Sequence, residues 1–129
     1  MEIIRVGIDA NYFYFYQNKS LKRFSNLYLA LASGLLLFAA WPVSPFTFLV
    51  FVAWLPLLWL ENTVKSRKKF FGLTYITMFT WNVATTWWIW NASAPGAVAA
   101  FLANSLLMCF PWLGYKVVKD KWGERAGFI

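Results

Sequence analysis

A chain of 129 residues that is 60% hydrophobic and 13% charged is too apolar for a water-soluble domain, in which those shares run at about 45–50% and 25%. The net charge of +7 does not indicate nucleic-acid binding, because the basic residues flank long apolar stretches and form no stripe on a polar surface. The sequence has one cysteine and no histidine, which excludes a zinc site and a histidine-dependent nucleophile within these residues, and we expect no cofactor.

The charged residues fall in three clusters, at residues 2–23, 61–69 and 116–125, and leave two uncharged blocks at 24–60 and 70–115. A transmembrane helix needs about 20 apolar residues, so each block is too long for one pass and suits two. The sequence therefore predicts an all-α integral membrane protein with four transmembrane helices arranged as two helical hairpins. We expect residues 1–23 to form a cytoplasmic N-terminal tail and residues 24–123 to form the membrane domain.

The first hairpin is predicted to contain helices over about 25–41 and 46–60, joined by a turn around Pro42 and Pro45. Four small residues in its first helix allow a neighbouring helix to approach closely: Ala30, Ala32, Ser33 and Gly34. The second helix is short for a hydrocarbon core of about 30 Å, and we expect Pro56 to kink it. A re-entrant pair that does not cross the bilayer is therefore an open alternative for this hairpin.

The second hairpin is predicted to contain helices over about 70–90 and 97–118, joined by an uncharged turn at 91–96. Polar side chains in lipid need partners on neighbouring helices, and the first of these two helices carries six of them: Thr74, Thr77, Thr80, Asn82, Thr85 and Thr86. We therefore expect the hairpin to belong to a larger bundle. Pro111 is predicted to kink the last helix.

The distribution of Lys and Arg predicts the orientation. All 12 lie in the three charged clusters, and the two turns between the clusters contain none. Because cytoplasmic segments are enriched in Lys and Arg, both chain ends are predicted to be cytoplasmic and both turns to lie outside. The expected location is the cytoplasmic (inner) membrane of a bacterium.

Little in the sequence indicates catalysis. Neither uncharged block contains an ionisable acid or base of the kind that couples transport to protons or ions. Cys109 lies among apolar residues and is predicted to be an inert core thiol, so we assign no catalytic, cofactor-binding or metal-binding residue. The possible lipid-contacting residues are Trp87, Trp88, Trp90 and Asn91, which form either an interfacial anchor or the wall of a site for an acyl chain or lipid headgroup.

Two stretches resemble a known family. The run from Gly34 to Pro42, followed by Pro45 and Phe46, resembles the first hairpin of bacterial apolipoprotein N-acyltransferases. The Trp-rich stretch from residue 81 to residue 96 is similar to the end of the third helix and the following turn in that family, and is most like the versions from Bacteroidetes-type bacteria. The resemblance extends over roughly residues 25–123.

The resemblance implies an enzyme that transfers an acyl chain from a phospholipid to the N-terminal diacylglyceryl-cysteine of lipoproteins. Family members carry a Glu-Lys-Cys triad in a periplasmic nitrilase-like domain, which these 129 residues do not include. We therefore expect this chain to be the membrane-anchoring, lipid-access part, inactive alone, with residues 124–129 as a truncated end. A small four-helix membrane protein that acts as a transporter subunit or assembly partner is the alternative.

Overall fold

The computed structural model describes residues 22–41 and 45–123, and the regular structure within these ranges is helical throughout. Residues 22–39 are helical and are called α1. A 3-10 turn at Thr47–Leu49 leads into α2 (Val50–Ala53) and α3 (Leu55–Thr63). Then come α4 (Arg67–Thr86), a 3-10 segment (Trp87–Asn91) and α5 (Ala94–Trp122). The all-α class is confirmed for the described residues.

Three predicted segments lie wholly or mostly outside the described residues. They are the N-terminal tail, apart from its last two residues, most of the turn around Pro42, and the end at 124–129.

Pro56 marks an interruption in the second apolar stretch. It lies in the first turn of α3, while α2 ends at Ala53, so the predicted single helix over 46–60 is divided near Trp54. A proline in the first helical turn loses no hydrogen bond, because the N–H groups there have no partner within the helix. By contrast, α5 continues through Pro111 as one helix.

Within the described part, α5 is the one helix both long and apolar enough to cross a membrane. Its 29 residues have a mean hydropathy of 1.6 in their most apolar window and span about 44 Å at 1.5 Å per residue, more than a hydrocarbon core of about 30 Å. The stretch Thr47–Thr63 is apolar but shorter. Helix α4 has 20 residues, but it begins with three cations and contains several hydroxyl and amide groups.

Small residues bring α1 close to α4, which is the neighbouring helix that the sequence left unnamed. Ala30 and Ser33 are fully buried, and the hydroxyl of Thr77 on α4 donates to the carbonyl oxygen of Ala30 at 2.9 Å. A Cβ added at Gly34 would lie 2.8 Å from the carbonyl oxygen of Thr77, so only glycine fits at this contact. Ser33 also donates to the carbonyl oxygen of Ala53 at 2.6 Å, which ties α1 to α2.

Large apolar side chains cover the outside of the helices. Phe51 is 82% exposed, Tyr28 70% and Trp59 66%, and many other aromatic and aliphatic residues are exposed as well. A soluble monomer rarely exposes a continuous apolar surface of this kind. This surface is suited to contact with lipid or with further apolar helices.

Candidate lipid-contacting site

The Trp-rich segment begins where α4 ends. The hydroxyls of Thr85 and Thr86 donate back to the carbonyl oxygens of Trp81 and Asn82, at 2.8 and 2.6 Å. Thr86 then leaves the α-helical conformation, with φ −119° and ψ 17°. Thr hydroxyls that bond to the preceding turn satisfy its carbonyls locally, so α4 can end without a glycine.

The candidate residues lie on the tighter 3-10 helix at Trp87–Asn91 and not on an α-helix. With three residues per turn, Trp87 and Trp90 share one row, and Trp88 and Asn91 share another. The three indoles are 56–61% exposed and Asn91 is also exposed, whereas Ile89 in the third row is half-buried. The sequence pattern predicted one α-helix over 70–90. With 3.6 residues per turn, an α-helix would not align these residues in rows three apart.

The turn after the tryptophans is fixed by a helix cap. The side-chain oxygen of Ser93 accepts from the backbone N–H of Gly96 at 3.3 Å, and Pro95 occupies the first turn of α5. Such a cap holds the first turn of α5 in place. The exposed tryptophans are therefore held between two helix ends by a link of a few residues.

Trp81 is different from the other three tryptophans of the segment. It is half-buried, and its ring meets Trp41 edge-on at a centroid distance of 5.9 Å. Its indole nitrogen is buried and has no hydrogen-bond partner in the part of the chain that the structure describes. Trp81 therefore packs α1 against α4 and is not a candidate for lipid contact.

Asn82 joins α4 to α5 one turn before the tryptophans. Its side chain is buried, and its amide nitrogen donates to the Ser105 hydroxyl at 3.2 Å and to the carbonyl oxygen of Met78 at 2.8 Å. Its amide oxygen accepts from the side-chain nitrogen of Asn104 at 2.6 Å. The expectation that polar groups of this helix find partners on a neighbouring helix is confirmed at Asn82.

Replacing Asn82 with leucine should lower the free energy of unfolding by about 1–2 kcal/mol, because the bonds that cross from α4 to α5 are lost and Asn104 is left without its acceptor. The measurement is SDS-driven unfolding in mixed micelles. Thr85→Val is the matched control, since its hydroxyl bonds only within α4, and it should change stability by less than about 0.5 kcal/mol. Equal losses in the two variants would contradict the interhelical role of Asn82.

A charged cluster at the opposite end of α4 was missed by the sequence analysis. Glu61 and Lys116 are both buried, and their side chains meet at 3.1 Å. Lys119 contacts the other carboxylate oxygen of Glu61 at 2.7 Å. Lys116 also donates to the backbone carbonyl of Glu61 at 3.0 Å and lies over the Phe70 ring. The cluster fastens α3 to α5.

The chain thus contains a buried Glu, Lys and Cys, but they do not form a triad. Cys109 precedes Lys116 by seven residues on α5, a rise of about 10 Å. Its thiol is buried and donates to the carbonyl oxygen of Ser105. In residues 22–41 and 45–123 there is also no group of three or more His, Cys, Asp or Glu that would hold a metal ion.

Comparison with known proteins decides the family. The chain matches the apolipoprotein N-acyltransferase N-terminal domain over residues 33–127. It belongs to this family. The curated apolipoprotein N-acyltransferase of Chlorobaculum tepidum is 26% identical over 105 residues, which is 79% of this chain and 20% of that enzyme. No solved structure matches significantly.

The chain spans about a fifth of the length of the apolipoprotein N-acyltransferase that it matches. The match to the family's N-terminal domain covers the exposed tryptophans, the Asn82 contacts and the Lys116 cluster on α5. It begins at Ser33, within α1. The structural features described above are therefore features of a member of this domain family.

Proposed function

We propose that this chain is the membrane-anchoring and lipid-access part of an apolipoprotein N-acyltransferase in the bacterial inner membrane. The whole enzyme transfers an acyl chain from a phospholipid to the N-terminal diacylglyceryl-cysteine of a lipoprotein. The observation that carries the proposal is the family match over residues 33–127, together with three exposed indoles held on a short capped link. Indoles favour the membrane–water interface, where acyl chains and headgroups meet.

The proposed topology has four membrane passes with both ends in the cytoplasm. It is supported by the length and hydropathy of α5, by the apolar outer surface of the helices, and by the alternation of basic clusters with uncharged turns. Under this topology the Trp87–Asn91 segment faces the periplasm, and the Glu61–Lys116 cluster lies at the cytoplasmic end. The tryptophans then lie on the periplasmic side, where we expect the family's nitrilase-like catalytic domain.

The topology predicts which single cysteines react with a membrane-impermeant maleimide in intact spheroplasts. Ser93→Cys should react from outside, and Lys65→Cys should react only after the membrane is permeabilised. Phe46→Cys should react from outside if residues 24–60 cross the bilayer, and should stay unreactive in a re-entrant hairpin. Native Cys109 is buried and provides the internal negative control. Reaction of Lys65→Cys in intact spheroplasts would overturn the proposed orientation.

The chain alone should acylate no lipoprotein, because Cys109 is buried and lies about two helical turns from Lys116. A chimera in which residues 33–127 replace the matched stretch of the Chlorobaculum tepidum relative should restore N-acylation in a bacterium depleted of its own enzyme. In that chimera, replacing Trp87, Trp88 and Trp90 together by alanine should lower the acylation rate about tenfold, equivalent to ~1.4 kcal/mol. The readout is mass spectrometry of the lipoprotein N-terminus.

Trp59→Ala is the matched control for the tryptophan variant, since Trp59 is an equally exposed indole on α3. It should change the rate less than twofold. A chimera that folds but does not acylate would count against the proposed function. If Trp59→Ala lowers the acylation rate as much as the triple substitution does, Trp87, Trp88 and Trp90 serve only as general membrane anchors.

A further inference from the structure

A groove of about 680 Å³ lies between the start of α1 and the first half of α4, at the end of the bundle opposite the exposed tryptophans. Three cationic residues line it: Arg23 from α1, and Lys68 and Lys69 from the first turn of α4. Among the residues that the structure describes, no acidic residue lines the groove. The first-turn N–H groups of α4 add partial positive charge, and the side chain of the N-cap residue Ser66 does not cap them.

The lining of the groove changes from charged to apolar along α4. After Lys69 the lining continues through Gly72 and Leu73 to Ile76, with Leu27 of α1 opposite. The rise from Lys69 to Ile76 is about 10 Å. The space beside Gly72 is open, because a Cβ added there would find no atom within 4 Å.

We propose that this groove binds one anionic glycerophospholipid, with its phosphate at Arg23, Lys68 and Lys69 and part of an acyl chain along the apolar wall. Charge complementarity favours an anionic headgroup over a zwitterionic one, and basic pockets between helices on the cytoplasmic side are suited to such lipids. The inference depends on the proposed topology, which places these residues at the cytoplasmic leaflet.

The lipid in this groove is distinct from an acyl donor that reaches the tryptophans. Helix α4 separates the two positions by its whole length of 20 residues, about 30 Å. A lipid held at Lys68 cannot present its ester bonds at Trp87 without crossing the bilayer. The groove lipid therefore fastens α1 to α4 and takes no part in acyl transfer.

The test is native mass spectrometry of the full chain in neutral detergent, with phosphatidylglycerol or phosphatidylethanolamine added as the probe. We expect one phosphatidylglycerol to be retained at least about tenfold more strongly than phosphatidylethanolamine, since each basic contact contributes about 1 kcal/mol near an anionic surface and ~1.4 kcal/mol is tenfold. Lys68→Gln with Lys69→Gln should abolish this preference. The control variant, Lys65→Gln with Lys121→Gln, removes the same amount of charge outside the groove and should keep the preference for phosphatidylglycerol.

Gly72→Leu fills the apolar part of the groove and should lower phosphatidylglycerol retention about tenfold. Gly114→Leu is the matched control, because a side chain there also meets no atom within 4 Å but lies outside the groove, and it should retain the lipid as the native chain does. Equal retention of the two lipids, equal losses in the two lysine pairs, or full retention in Gly72→Leu would each overturn the proposal.

Two further outcomes separate this site from other possibilities. If inorganic phosphate displaces the lipid at millimolar concentration, the groove is an anion site without an acyl-chain component, and the proposal fails. If lipid retention follows the expected pattern while the chimera does not acylate, the lipid site stands and the proposed function fails.

Discussion

Glu61→Leu should lower the free energy of unfolding by about 3–5 kcal/mol, the usual result of removing one partner from a buried ion pair. The substitution leaves the ammonium of Lys116 buried without its carboxylate, and Lys119 loses the same partner. Lys116 keeps the backbone carbonyl of residue 61, its position over the Phe70 ring and the weaker contact with Asp120 at 3.9 Å. SDS-driven unfolding in mixed micelles measures the loss.

Two variants control for this effect. Arg67→Gln removes the exposed ion pair with Asp120 and should cost no more than about 1 kcal/mol, because side chains that are 45% and 31% exposed remain solvated. Combining Glu61→Leu with Lys116→Met replaces the buried charges by apolar groups and should recover most of the loss. If Glu61→Leu costs no more than Arg67→Gln, the buried pair does not stabilise the α3–α5 contact.

Gly34→Leu should lower the free energy of unfolding by about 3 kcal/mol, the upper end of the usual cost of overpacking. An added Cβ would lie 2.8 Å from the carbonyl oxygen of Thr77 and 3.0 Å from the Cβ of Thr80. Because the first of these atoms belongs to the α4 backbone, a rotamer change cannot relieve the clash, and α1 must move away. The same unfolding measurement tests it.

Gly114→Leu makes the same chemical change on α5 where a Cβ meets no atom within 4 Å. Leucine has a higher helix propensity than glycine, so this variant should be as stable as the native chain or up to about 1 kcal/mol more stable. If Gly34→Leu is as stable as Gly114→Leu, the contact between α1 and α4 is not rigid.

Local chemistry allowed the sequence to predict part of this fold. The small residues of α1 predicted the close approach of a neighbouring helix, which the structure shows to be α4, and the amide at position 82 predicted an interhelical partner. Pro56 predicted a disturbed second helix, although the result is two short helices in place of one kinked helix. These features depend on the size, shape or hydrogen bonding of single residues, which the sequence states directly.

The buried ion pair could not be predicted in this way. Glu61 and Lys116 are 55 residues apart, and each lies within a charged cluster that suggests a solvated membrane flank. The sequence does show that Glu61 and Lys116 each adjoin a strongly apolar stretch, which is compatible with burial. Their pairing, however, depends on the packing of α3 against α5. The 3-10 geometry of Trp87–Asn91 was likewise hidden, because it depends on how α4 ends and α5 is capped.

The contacts of α4 also bear on how the chain enters the bilayer during synthesis. Thr77 finds an acceptor on α1, which is synthesised before α4, whereas Asn82 finds its partners on α5, which is synthesised after α4. Under the proposed topology, α4 leaves the protein-conducting channel with only one of its two partners already present. Because the link at 87–93 is short, α5 follows α4 out of the ribosome with little delay. The two helices are therefore suited to leave the channel as a pair, so that the Asn82 amide is not exposed to lipid without its partners on α5.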